Sequence, residues 1–82
     1  MRAVFLFATW DSRFWEKKDN FCDECRKYNI PFECVDVDEN VGITIKHQIK
    51  NVPAIIIYGD KGNVLGIEKG NTAYTKLKNY IL

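Results

Sequence analysis

Apolar and polar residues alternate along this chain in blocks of unlike period. Val4 to Thr9, "VFLFAT", is an almost unbroken apolar run, the pattern of a strand covered on both faces. Asp11 or Ser12 then stands where a helix would be capped, and that helix is predicted to reach about Tyr28 or Asn29. Its apolar positions, Phe14, Trp15, Phe21, Cys22, Cys25 and Tyr28, fall within one broad helical face. Lys18 shares that face, and its long stem can carry the ammonium to water. Asn29-Ile30-Pro31 ends the helix. "FECVDVD", Phe32 to Asp38, alternates as a strand does, and Val41 to Lys50 reads as a short helix. Ile55, Ile56 and Ile57 form a buried strand. Asp60-Lys61-Gly62-Asn63 is a hairpin turn, and Val64 to Glu68 returns antiparallel. Thr72 is placed to cap a last helix, Ala73 to Leu82, with Leu77, Tyr80 and Ile81 as its apolar side.

The predicted order is therefore β-α-β-α-β-β-α. A helix links the first two strands, so they are parallel with a right-handed crossover. The hairpin adds an antiparallel pair. One four-stranded mixed sheet with helices on both faces satisfies this order, which places the chain in the α/β class. At 82 residues it is expected to be one domain, residues 1–82, with a modest core.

Composition narrows the function classes. Charged residues are 28% and the net charge is +1, which gives no electrostatic case for nucleic acid or an acidic membrane surface. The apolar run near the N-terminus is too short to span a bilayer, and no small-residue cleavage site follows it. Three cysteines are an odd and sparse set for a secreted disulfide scaffold, so a reducing cytoplasm is the expected compartment.

Several separated motifs agree in order and spacing, and together they resemble the thioredoxin family over nearly the whole chain. "VFLFATW" is similar to the strand that delivers the active-site tryptophan. "FECVDVDEN" is similar to the next strand, and "IKNVPAIIIYGDKGNVLG" to the segment that carries a proline, a strand, a Gly turn and a further strand. Gly70 falls where the family has a glycine after the final strand. The first strand and helix of a full thioredoxin have no counterpart, so the resemblance is to a minimal, glutaredoxin-sized version. It implies that Pro53 is a cis-proline, and that the backbone beside it pairs with an extended substrate segment.

The resemblance also marks where the chain departs. In thioredoxins the redox pair follows the tryptophan as Trp-Cys-Gly-Pro-Cys and opens the helix, where free N–H groups and the macrodipole stabilise a thiolate. Here the phrase is Trp10-Asp11-Ser12-Arg13-Phe14. Asp11 stands at the nucleophile's position and Phe14 at the resolving cysteine's. Phe5 stands where many thioredoxins bury an acid, and Cys34 where a lysine often accompanies it. With no thiol to deprotonate, a buried carboxylate would bring only a desolvation penalty.

The pair Cys22 and Cys25 has the familiar spacing in an unfamiliar place. In the helix interior the N–H groups are already bonded. Side chains at i and i+3 have Cβ atoms about 5–6 Å apart, whereas a disulfide needs about 3.5–4.5 Å. Cys25 reads as core and Cys22 as core edge. A zinc site from Cys22, Cys25, Cys34 and His47 lacks the second clustered pair that such sites use, so no metal and no cofactor are expected. Asp36, Asp38 and Glu39 read as a solvated strand end.

Two functional readings follow. In the first, the chain is a protein- or peptide-binding module. Its surface is the Trp10–Arg13 loop with Phe14, and the edge at Val52 and Pro53; the partner is a polypeptide. In the second, it is an atypical thiol–disulfide oxidoreductase using Cys22 and Cys25. The empty position after Trp10 favours the first.

Overall fold

A computed structural model of the chain describes residues 1–12 and 14–81, and for Phe14 the backbone alone. The calls on Arg13, on the Phe14 side chain and on Leu82 lie outside the described residues. The elements are β1 (Arg2–Phe7), α1 (Phe14–Lys27), β2 (Phe32–Asp36), α2 (Val41–Lys46), β3 (Ala54–Tyr58), β4 (Val64–Lys69) and a 3-10 helix (Ala73–Tyr80). They form one four-stranded sheet in the order β2-β1-β3-β4. β1 and β2 are parallel, while β3 runs antiparallel to both β1 and β4. This is the mixed α/β architecture that the pattern of periods predicts.

Alternation along the strands sorts the core into two layers. Ala3, Phe5, Ile55 and Ile57 face α1 and the 3-10 helix, and pack with Phe21, Cys25 and Leu77. Val4, Leu6, Ala54 and Ile56 face the opposite side and pack with Ile49, just after α2. Both faces of β1 and β3 are thus buried, which is why these strands read as continuous apolar runs.

Both α-helices end in the same way. Asn29 (φ 56°) and Gln48 (φ 55°) adopt the left-handed conformation. The next residue's N–H returns to a carbonyl five residues back: Ile30 to Cys25 and Ile49 to Thr44, each at 2.8 Å. Asn29 and Gln48 donate to Arg26 and Ile45, which completes a Schellman motif in each case. Ile30 and Ile49 are both buried, and each joins one core layer. The motif therefore stops α2 at Lys46, four residues short of the sequence expectation.

Other boundaries differ for equally local reasons. β1 occupies Arg2–Phe7 rather than Val4–Thr9, because Asp11 N–H donates to the Ala8 carbonyl at 3.1 Å and turns the chain. β2 stops at Asp36, whose carboxylate accepts from Asp38 N–H while its carbonyl accepts from Glu39 and Asn40. The last helix is 3-10 rather than α. Thr72 makes no side-chain cap, and its carbonyl instead accepts from the Thr75 N–H and hydroxyl, an i,i+3 pattern. Trp15, expected on the inner face of α1, is 62% exposed with the Lys18 ammonium 5.3 Å from its ring centre. The charged residue α1 buries is Lys17, not Lys18.

Candidate functional site at the Trp10 and Pro53 loops

Two loops meet at the C-terminal end of β1. The first leaves β1 through buried Ala8 and the Ala8–Asp11 turn, which leaves Trp10 on the surface at 73% exposure. A tryptophan held in water forgoes one of the largest burial gains available to a side chain. The second is the segment before β3, where the Val52–Pro53 peptide bond is cis and Pro53 is buried. The Pro53 carbonyl accepts from Gly70 N–H at 3.0 Å, and Gly70 meets it with φ 98°, a conformation that suits glycine. Val52, one residue earlier, is half-buried, and among the described residues neither its N–H nor its carbonyl has a hydrogen-bond partner.

Trp10 and Val52 line one open cleft of about 330 Å³ with Val37, Asp38, Val41, Thr44, Ile49, Lys50 and Asn51. Ile49 and Val37 belong to the core layer beneath it, so its floor is apolar. Asp38 and Lys50 bring opposite charges into its lining. On α2, Val41 is exposed at this cleft and Ile45, one turn on, is 72% exposed. The structure therefore brings Trp10 and Val52 together. It also adds α2 residues that the sequence reading left out, although exposed apolar residues at i and i+4 on a short helix were a visible signal.

Asp11 does something different. α1 begins at Phe14, three residues beyond it, and the Asp11 carboxylate Oδ2 lies 3.3 Å from Lys17 Nζ. Lys17 is only 6% exposed, and Asp11 is itself largely buried. The Asp11 carboxylate is thus tied inward by a buried lysine. Ser12 is exposed and does not line the cleft.

The cysteines lie elsewhere, on the face of the sheet that α1 covers. Cys22 and Cys25 are both buried inside α1, and Cys34 is half-buried on β2. Burial pushes the Cys25 thiol up to about 12, with the Cys22 and Cys34 thiols and the Glu24 carboxylate adding to the effect. Cys34 is pushed up to about 11, first by burial and then by Cys22, against a lowering by the Lys18 ammonium. A reactive thiol needs the opposite environment. Among the described residues, no group of three or more His, Cys, Asp or Glu side chains could hold a metal ion. His47 Nε2 is 3.1 Å from the Tyr58 hydroxyl. No helix among the described residues is long and apolar enough to cross a membrane.

This sheet order and the two core layers on its opposite faces define a thioredoxin-like domain. Solved structures with the same fold include thioredoxin 1 from Thermosipho africanus TCF52B (TM-score 0.79, 18% identity, covering 98% of this chain and 93% of that one). Oxidised thioredoxin from Plasmodium falciparum superposes with a TM-score of 0.80 at 25% identity, over 98% of this chain and 80% of that one. Fasciola hepatica thioredoxin does so with a TM-score of 0.80 at 24% identity, over 96% and 75%. No protein-family model and no curated protein sequence matches the chain.

Proposed function

We propose that this thioredoxin-like domain binds an extended polypeptide in the cleft between Trp10 and Val52, and that it works without a redox pair on the loop ahead of α1. The observation that carries the reading is the unpaired Val52 backbone, set beside an exposed tryptophan over an apolar floor. A strand added there would gain an N–H donor and a carbonyl acceptor from Val52, and could place a side chain against Trp10, Val41 and Ile49. The Trp10–Arg13 loop is the other part of the site in this reading, and Trp10 is the residue of it that lines the cleft. Asp11 and Phe14 hold the two positions where thiol chemistry would need cysteines, so the site offers recognition rather than exchange. Cys22 and Cys25 favour the oxidoreductase alternative little, because both thiols are buried inside a helix and burial holds Cys25 protonated.

The test is a selection of random peptides on the immobilised domain, followed by affinity measurements on the winners. A central tryptophan anchor is worth about 2 kcal/mol or more, so Trp10→Ala should weaken binding at least ~30-fold. Selected peptides that bind Trp10→Ala as well as the wild type would overturn the reading. So would a selection that yields no specific peptide.

A further inference from the structure

The three cysteines are not equivalent, and the pair with the familiar spacing is not the pair best placed to join. Cys34 lies on β2, an outer strand of the sheet, and alternation puts it on the same face as Phe32, beneath α1. Contacts at Phe32 fix how the helix lies over this strand. The Phe32 ring meets Phe21 edge-on at 5.5 Å and lies under the Arg26 guanidinium at 5.7 Å. Two residues further along β2 is ~6.6 Å, close to the ~5.4 Å of one helical turn. α1 runs back over the strand, so Cys34 falls beneath the preceding turn, with Lys18 and Cys22 as its neighbours. The two thiols share one core cluster, and Cys22 is near enough to Cys34 to help push its thiol up.

The helix itself keeps Cys22 and Cys25 about 5–6 Å apart at Cβ, a separation it cannot close without losing its own hydrogen bonds. Cys22 and Cys34 stand on separate layers, so no helix spacing fixes their separation. β2 has a ladder on one side only, so a small shift of Cys34 disturbs a single pairing. Cys34 is also the accessible thiol of the three, whereas Cys22 and Cys25 are buried.

We propose that Cys22 and Cys34 are a disulfide-forming pair, closed when a small-molecule disulfide reacts at Cys34, and that Cys25 takes no part. In the first step the Cys34 thiolate, a minor form whose share grows as pH rises toward 11, attacks one sulfur of the reagent, so closure is slow at neutral pH and faster at pH 9. A mixed disulfide forms at Cys34, and one reagent thiolate leaves and takes up the proton that Cys34 released. Cys22 then loses its proton to solvent and attacks the Cys34 sulfur, expelling the second reagent thiol. Two protein thiols are oxidised, and one reagent disulfide is reduced to two thiols. The closed bond would pin α1 to the outer strand beneath it. This inference stands on the layer packing alone and does not depend on the peptide-binding reading.

The experiment is incubation of the native domain with excess oxidised glutathione, followed by intact mass and peptide mapping. Cleavage before Asp23 and after Lys27 places Cys22, Cys25 and Cys34 in separate peptides, so the wild type alone identifies the pair. The expected product has lost the mass of two hydrogen atoms and contains a Cys22–Cys34 cross-link. Cys25→Ala should still close, Cys34→Ala should not, and Cys22→Ala should accumulate a glutathione adduct at Cys34. A Cys22–Cys25 loop, a stable glutathione adduct on the wild type, or no reaction would each overturn the proposal.

Discussion

The Asp11–Lys17 pair sets a clear energetic demand on the site. Lys17 is 6% exposed, and its ammonium lies 3.3 Å from the Asp11 carboxylate, itself largely buried. Asp11→Ala would strand that ammonium away from water. Removing one member of a buried pair costs about 3–5 kcal/mol. A separation of 3.3 Å is longer than the ~2.7–2.9 Å of a strong charge-assisted bond, so the low end, about 3 kcal/mol, applies. In a domain of this size about 1 kcal/mol moves Tm by about 4–8 °C, so Tm should fall by about 12–24 °C. Lys17→Met keeps the apolar stem but leaves the largely buried Asp11 carboxylate without its ammonium, so it should cost about 1–3 kcal/mol. The double variant removes both charges and should cost no more than Lys17→Met alone, which gives a coupling of at least ~3 kcal/mol. Urea denaturation of all four proteins measures it. A coupling below ~0.5 kcal/mol would refute a tight buried pair and leave Asp11 as a simple surface acid.

The remaining predictions concern packing and titration. Gly66 lies under the Tyr80 ring, and a Cβ there would collide with the phenol oxygen. Gly66→Ala should therefore cost about 1–3 kcal/mol in a denaturant melt, and an unchanged midpoint would show that Tyr80 does not rest on β4. Cys25 ordinarily titrates near 9.0 but is held up to about 12 in the fold. Its stabilising contribution is complete below pH 9 and is lost as pH rises toward 12, at about 1.4 kcal/mol per pH unit. Tm should drop over that window, and the drop should be shallower in Cys25→Ala; equal slopes would contradict the account. Asn29→Val should destabilise by about 1 kcal/mol because a β-branched residue resists φ 56°, whereas Asn29→Gly should not; equal melts would remove the left-handed residue as the reason α1 stops there.

Much of the fold was legible because the chain's periods are consistent. Val4–Phe7 and Ile55–Ile57 are buried on both sides and read as unbroken apolar runs, and the Gly62 turn between β3 and β4 announces a hairpin. Helix ends were less legible. Gln48 has no glycine's signature, and its left-handed conformation is set by burying Ile49 rather than by its own preference. The site was legible in part. Trp10 and Val52 were named from the motif, but the α2 wall depends on how tightly Val41–Lys46 folds over the sheet. The burial of Lys17 was not legible because it depends on the Asp11 carboxylate that partners it, although the spacing 17, 21, 25 puts it with Phe21 and Cys25. The nearness of Cys34 to Cys22 was not legible, because it depends on how α1 lies across β2.

The central claim is that Val52 offers its backbone to a bound strand. The direct measurement is amide hydrogen exchange by NMR on the 15N-labelled domain, with and without a selected peptide. Binding should slow exchange at the Val52 N–H at least ~10-fold and shift the Trp10 indole resonance, as expected for a newly bonded amide. A peptide that binds while Val52 exchanges at its free rate would place recognition elsewhere and contradict the account.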